Sequence, residues 1–456
     1  MSKTKSKNIE MITGDPKKAI VKLAIPMMIS MLLIMMYNIA DSIWVAGLGA
    51  DALAAVGFIT PLFMVLVGLG NGIGAGANSL IARYIGGGNY KQANNAGLHG
   101  ILLSIIISVI FTIIIEAFMV PILQFMGAGD TIGYAMDYSY IIFGFLFVFV
   151  YSGVASAIFR SEGDMRRATI AIAVTAILNI ILDPIFIYVL NFGIAGAAWA
   201  TVISAIMSCL VMSYWIWGKK DLYLDLTPKN FHFEKKMITD NLQVAIPSTL
   251  ESLVFSILAI IINSLLVIAS GTTAVAVYTA SMRIVQLAMI PLIGLGTAVL
   301  TVAGVAYGAR NPANLKTAHS YSIKLGFAIS IALGIIMFVF SSQIAAMFSY
   351  TEASASLSPQ IATAISVLSL FVLAIPHGMM SSMLFQGVGK GVYSLLITLL
   401  RSLILESVFA YIFCFIFGWG VTGIYAGVVF GCFIGGTVGY IWAKIFISRF
   451  EKLESK

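Results

Sequence analysis

Apolar residues run along this chain in long blocks broken by short polar gaps, and the blocks have the length of membrane spans. A helix needs about 20 apolar residues to cross a hydrocarbon core roughly 30 Å thick. Such runs fall near 21–46, 52–81, 97–120, 131–158, 168–190 and 193–217. A polar stretch follows, with Lys219, Lys220, Lys229, Lys235 and Lys236, and six more runs lie near 240–268, 273–306, 318–348, 358–385, 392–417 and 420–446. The pattern predicts an all-α polytopic membrane protein with twelve transmembrane helices. The first run is too long for a signal-peptide core and has no small-residue cleavage pattern, so it is expected to stay as the first span.

Charge in the gaps alternates. Lys and Arg collect in short cytoplasmic loops. Basic residues occur at the N-terminus and in the gaps after spans two (Arg83, Lys91), four (Arg160, Arg166, Arg167), six, eight (Arg310, Lys316, Lys324) and ten (Lys390), then at the C-terminus. The gaps near 47–51, 121–130, 191–192, 269–272, 349–357 and 418–419 have none. Of 26 basic residues only Arg283 and Arg401 lie well inside runs, so 26 − 2 = 24 fall on one side. Both termini are therefore expected in the cytoplasm, with the chain multi-pass in the plasma membrane.

Composition agrees with this reading. The 456 residues are 60% hydrophobic and 10% charged, whereas a soluble chain needs about 25% charged residues to wet its surface. A soluble enzyme is excluded, and little chain is left for a catalytic domain outside the membrane. The net charge of +7 is a topology signal, so no nucleic-acid partner is expected. Cys209, Cys414 and Cys432 sit in apolar runs and suggest neither a disulfide framework nor a metal site. No cofactor is expected.

The chain also repeats itself. Leu23-Ala24-Ile25-Pro26 returns as Val244-Ala245-Ile246-Pro247, and Gly86 to Asn89 returns as Gly308 to Asn311. Phe159-Arg160 with Gly163 answers Phe385-Gln386 with Gly389, and Gly193 to Gly196 answers Gly420 to Gly423. The offset drifts only from 221 to 227. Six spans is an even number, so the two halves are parallel repeats. Their expected bounds are 1–217, a cytoplasmic linker over 218–239, and 240–456.

Against this apolar background, ionisable residues deep in a span mark function, since each costs about 2.5–3.5 kcal/mol on insertion scales. Asp41 lies 41 − 22 = 19 residues past Lys22, about 28 Å along a helix. Asp183 lies 183 − 167 = 16 past Arg167, about 24 Å along. Both acids thus reach a similar depth in the outer half, on spans one and five. Tyr37 and Asn38 precede Asp41 by four and three residues, and Asn179 precedes Asp183 by four, so each shares a helix face with its acid. Thr201 on span six and Tyr138 on span four reach a similar layer. Oxygen ligands of this kind suit a hard cation such as Na⁺, and a desolvated carboxyl pair can equally take up protons. In the second repeat the matching positions, Ile262 or Asn263 and Phe409 or Ala410, carry no acid.

Other signals are weaker. Gly68, Gly70, Gly72, Gly74 and Gly76 on span two suggest close helix packing. Met27, Met31 and Met35 share a face of span one, where they can pack or meet varied ligands. His377 in span ten can carry a proton or serve as a hydrogen-bonded interior residue. Arg401 and Glu406 on span eleven are five apart, which in an α-helix turns them away from each other, so their partners are expected on other spans. Arg283 has no nameable neighbour.

These residues resemble the multidrug and toxic compound extrusion (MATE) family, in particular its DNA-damage-inducible protein F branch. The most specific parts are Ile25-Pro26, Tyr37 to Asp41, Ala54 to Gly57, Arg160 with Glu162 to Asp164, Leu178-Asn179 with Leu182 to Pro184, and Gly193 to Ala200. The resemblance implies two six-helix lobes in a V, with alternating access. It also implies efflux of amphipathic, often cationic compounds in exchange for Na⁺ or H⁺, by a protein expected to be a monomer in a lipid bilayer. Carried over, it places the cation site at Asp41, Asn179, Asp183 and Thr201, with Tyr37, Asn38 and Tyr138 nearby. Several branches of the family place a glutamate eight residues past the span-seven proline, where this chain has Phe255. Glu251, four past Pro247, is a candidate substrate contact instead. The alternative is a lipid-linked precursor flippase of the same superfamily, whose cavity would need cations such as Arg283 and Arg401. A membrane-embedded enzyme lacks a nucleophile–base pair, and a channel lacks a ring of acids.

Overall fold

A computed structural model describes residues 3–126, 129–219, 221–348 and 356–455. Lys220 and the stretch 349–355 of the ninth gap lie outside the described residues. All regular structure within them is helical. Ten helices are long and apolar enough to cross a membrane, and two bent helix pairs bring the count to twelve. In chain order, spans one to six are Pro16–Ala46, Ala54–Gly86, Tyr90–Phe125, the pair Ile132–Gly144 with Leu146–Ser161, Met165–Val189 and Gly193–Gly218. Spans seven to twelve are Lys235–Ser270, Thr272–Gly308, Pro312–Val339, the pair Ser358–Ala374 with Pro376–Gly387, Gly391–Ile416 and Gly420–Glu454.

Three of the expected straight runs are broken. Span ten bends by 42° at Pro376, which has no N–H to give the preceding turn. Span four bends by 47° without a proline. There Thr112 Oγ1 of span three takes the carbonyl of Phe143 at 3.0 Å, and a side chain inserted into the helical ladder bends it. Span nine stops at Val339, and a separate short helix, Ser341–Phe348, follows it. Apolar periodicity alone detects none of these breaks. A helix over Lys3–Thr13, ahead of span one, is also new. It buries Ile12 close to Gly163, whose φ of +81° forms the turn after span four.

The repeat survives as paired left-handed turns. Gly88 (φ +70°) matches Arg310 (φ +51°), and Gly163 matches Gly389 at φ +81° in both. The asparagines after the first pair, Asn89 and Asn311, each cap the next span by accepting a backbone N–H three residues on. That satisfies a donor otherwise left open at a helix start. It also explains why a Gly-x-x-Asn pattern recurs.

The chain divides into two compact units, Met1–Gly14 with Pro26–Thr249, and Asp15–Ile25 with Leu250–Lys456. The divisions fall within spans one and seven, beside the equivalent Pro26 and Pro247. Within the first unit the segment after span six is held by buried side chains. Asn95 exchanges two hydrogen bonds with the backbone of His232, at 2.8 and 3.0 Å. His99 Nε2 accepts the N–H of Glu234 at 3.1 Å. Asn94 accepts the N–H of Asp225 at 2.9 Å. Glu162 Oε2 accepts those of Tyr223 and Leu224 at 3.0 and 3.2 Å.

Small residues set the spacing of the spans, as the glycine string predicts. A Cβ on Gly74 would stand 3.0 Å from the carbonyl oxygen of Gly153 on span four, and one on Gly153 would stand 2.9 Å from that of Gly70. Gly72 and Gly76 instead face the first turns of span seven at Ala245 and Asn241. Span two therefore packs two neighbours through two separate glycine stripes.

Two predictions follow from these contacts. Gly153→Ala overpacks the span two–span four contact and is expected to cost about 1–3 kcal/mol, read as a lower Tm of purified protein. Glu162 lies outside the spans, and burial pushes its carboxyl from 4.5 up to about 8 despite its two N–H partners. The folded chain thus keeps a proton there that the unfolded chain loses above its ordinary pKa. The contribution to stability is full below 4.5 and is lost as pH rises toward 8. In Glu162→Gln that loss is absent, so the Tm of the native protein should fall relative to the variant as pH rises through this window. A constant difference in Tm would refute the assignment.

Candidate functional site

Span five carries the core of the site. Asn179 and Asp183 stand one turn apart on it and are fully buried. Asn179 Nδ2 donates to Asp183 Oδ1 and to Thr201 Oγ1 of span six, both at 3.2 Å. One amide therefore ties together two of the residues that the depth arithmetic placed in the same layer. Thr201 in turn donates to its own helix at Ala197 O, 3.0 Å away.

Asp41, partly buried on span one, faces this group. The charge of Asp41 acts on Asp183, and both acids act on the buried hydroxyl of Tyr138. Tyr37, one turn before Asp41, also lies within its field. The relation between spans one and five is held at two levels. Thr169 Oγ1 on span five donates to Pro26 O at 3.0 Å. Tyr188 Oη donates to Trp44 O at 2.6 Å near the other end, with the two rings edge to face. Tyr188 sits on the wide π-helical turn Ile185–Val189, directly after Asp183-Pro184. Asp41 lies between these two ties.

Hydrogen bonding here is incomplete in one direction only. Among the described residues, Asp41 Oδ1, Asn179 Oδ1 and Asp183 Oδ2 are buried oxygens with no donor. Neither acid belongs to an ion pair in that set. Buried polar atoms are normally satisfied; here three acceptors are not, two of them carboxyl oxygens, an arrangement chemically able to accept positive charge. Oxygen-only ligation suits a hard cation, and carboxyl groups also accept protons.

A cavity of about 160 Å³ adjoins the group, bordered by Tyr37, Asn71, Ser152, Thr175, Asn179 and Thr201 with aromatic walls from Phe63 and Phe149. It is smaller than the roughly 300–1,000 Å³ of drug-sized pockets, so it admits part of a ligand. Asn71, Ser152 and Thr175 are additions to the residues expected from sequence. Asn71 could have been noticed as an amide set between two glycines of an apolar run.

The remaining candidates fall elsewhere. Asn38 is exposed, and its backbone carbonyl accepts from Ser42 Oγ at 2.8 Å. Met27 is buried while Met31 and Met35 are half-buried, and the cavity is bordered on span one by Ile34 and Tyr37 rather than by these methionines. Arg283 is exposed. His377 is buried in the second unit, its Nε2 near Phe433 O and Thr437 Oγ1 at 3.1 and 3.2 Å. Glu251 is buried too, receiving Ser394 Oγ at 2.6 Å and Gln386 Nε2 at 3.3 Å. Of the positions matching the acid pair, Ile262 and Ala410 are fully buried in one apolar core of the second unit, while Asn263 and Phe409 are half-buried.

A helical membrane protein with paired six-span repeats and an acid pair buried in one of them has the makings of a secondary transporter. The family described as MatE matches residues 26–185 and 247–412, and the chain belongs to this MATE family of transporters rather than to any class of enzyme. The "Probable multidrug resistance protein NorM" of Thermotoga maritima is 27% identical over 389 residues, 84% of this chain and 82% of its own. A MATE crystal structure in complex with MaL6 superposes with a TM-score of 0.95 at 39% identity, covering 99% of this chain and 100% of its own. An outward-facing multidrug resistance MATE transporter of the MOP superfamily gives 0.94 at 40% identity, covering 97% and 98%.

Proposed function

We propose that the protein is a secondary-active multidrug antiporter that exports amphipathic, often cationic compounds in exchange for Na⁺ or H⁺ bound at Asp41 and Asp183. The observation that carries this reading is the set of three donorless buried oxygens on Asp41, Asn179 and Asp183. In this scheme cation entry satisfies those oxygens. The adjoining cavity, walled by Phe63 and Phe149, receives an apolar or aromatic part of the drug. Cation and drug then act on each other through linkage, each lowering the affinity for the other as access alternates. The Lys- and Arg-rich ends of the spans face the cytoplasm of a cell bounded by the plasma membrane, as the positive-inside rule requires. A flippase for pyrophosphate-linked lipids would need free cations within its spans. Arg283 and Arg401 are the two to hand, and Arg401 lies within the fields of two buried glutamates.

Transport in reconstituted vesicles tests the reading. An imposed Na⁺ gradient and an imposed pH gradient, applied separately, should show which one drives drug movement. Asp41→Asn and Asp183→Asn should each abolish gradient-driven efflux, a loss of at least tenfold, at unchanged expression. Undiminished transport in both variants would exclude the site.

A further inference from the structure

Span eleven is one residue longer than its counterpart, span five. The turns that begin them, at Gly163 and Gly389, are 389 − 163 = 226 apart, whereas those that follow them, at Gly193 and Gly420, are 420 − 193 = 227 apart. Both spans close with a π-helical turn, Ile185–Val189 and Ile412–Ile416, already at the later offset. Span eleven alone has a second one, Leu399–Glu406. A π turn bonds i to i+5 and so holds one more residue than an α turn. The extra residue is taken up there.

That turn changes which side chains meet. Five residues along an α-helix rotate a side chain by roughly 140° past a full turn, and on that basis Arg401 and Glu406 were expected to point apart. In a π turn they are one hydrogen-bonded ring apart and share a face. Glu406 is 2% exposed, lies in the field of Arg401, and is hydrogen-bonded to Ser402 and Cys432. Arg401 also acts on Glu251 of span seven. Glycines make room for the guanidinium, since a Cβ on Gly378 would stand 3.4 Å from Arg401 Nη1 and one on Gly435 2.6 Å from Arg401 Cβ.

The other groups around it are neutral. Gln386 and Ser394 donate to Glu251. Tyr278 of span eight and Tyr425 of span twelve lie on the Glu406 side. His377 is stacked on Phe327 and within the field of Arg401. It is 5% exposed, and its buried Nδ1 has no partner among the described residues. Two carboxylates and one guanidinium leave a net charge of −1 in the interior of a membrane unit. Such an uncompensated charge is strongly disfavoured. Unlike Asp41 and Asp183, neither Glu251 nor Glu406 has a buried carboxyl oxygen without a donor among the described residues, so the group offers a metal cation no open ligand, whereas one proton balances its charge.

We propose that Glu251, Arg401 and Glu406 form a second exchange site, specific for a proton, in the second unit, with His377 Nδ1 as an acceptor beside it. Its part in transport rests on the antiporter reading above, but its existence does not. Infrared titration of purified Asp41→Asn/Glu162→Gln/Asp183→Asn protein isolates it from the first site and from the buried Glu162 carboxyl. A carboxylic-acid C=O band should titrate in that background and be lost when Glu251→Gln and Glu406→Gln are added together. Arg401→Gln should strengthen the band, because both carboxyls then need a proton. No titrating band, or a band indifferent to the glutamate substitutions, would overturn the site. In vesicles, Glu406→Gln should lower the H⁺ count per substrate by one, and an unchanged count would overturn its coupling. If the native protein shows no gradient-driven efflux at all, the antiporter reading fails while the infrared titration still decides the site.

Discussion

Hydrocarbon does not solvate charge, and the chain is organised around that constraint. With 10% of its residues charged, it keeps nearly all basic groups at one set of span ends. The few ionisable groups that remain inside each cost stability. The two units meet the cost differently. The first holds two acids without a counter-charge, supported by an amide, a hydroxyl and the hydroxyl of Tyr138. The second buries one guanidinium within the fields of two buried acids, and packs Ile262 and Ala410, at or beside the positions matching the first unit's acid pair, into an apolar core. One fold thus carries two electrostatic designs.

Geometry follows from close packing. The glycines of span two let it approach span four at Gly153 and span seven at Asn241, while the acids on spans one and five approach each other on their own helices. That approach is then fixed by two hydrogen bonds far apart on the helices, Thr169 to Pro26 and Tyr188 to Trp44. The second depends on a wide turn after Pro184, because it is this turn that carries Tyr188. Backbone irregularity and site geometry are therefore one feature. A regular helix through 185–189 would present that phenol elsewhere.

Much of this was legible in the sequence because the signals are periodic or additive. Twelve runs, alternating loop charge and a drifting repeat offset each accumulate over many residues. Asp41, Asn179, Asp183 and Thr201 could be aligned by counting helical rise from charged span ends, and Asn179 does bridge Asp183 and Thr201. What stayed hidden depends on single residues. The bend at Phe145 comes from one threonine on another span. The docking of the segment after span six depends on Asn94, Asn95, His99 and Glu162, polar residues at span ends whose partners lie in a stretch with no apolar periodicity to place it. Asn38 is exposed, since a residue three before Asp41 can lie on either flank of the helical face.

The offset of 226 becoming 227 was also present in the sequence, and its meaning was not. Counted as α-helix, Arg401 and Glu406 face apart, and each then needs a partner on another span. A one-residue insertion removes that difficulty by locally changing the helical period, so that the two charged residues share one face of the helix. The last step of the drift falls on the π-helical turn that carries both Arg401 and Glu406. A duplicated fold is free to diverge in this way. One inserted residue alters which side chains share a face while the flanking turns at Gly389 and Gly420 keep their left-handed geometry. The second unit could therefore lose the acid pair of the first and acquire a charge-balanced group one helical turn away, with the architecture intact.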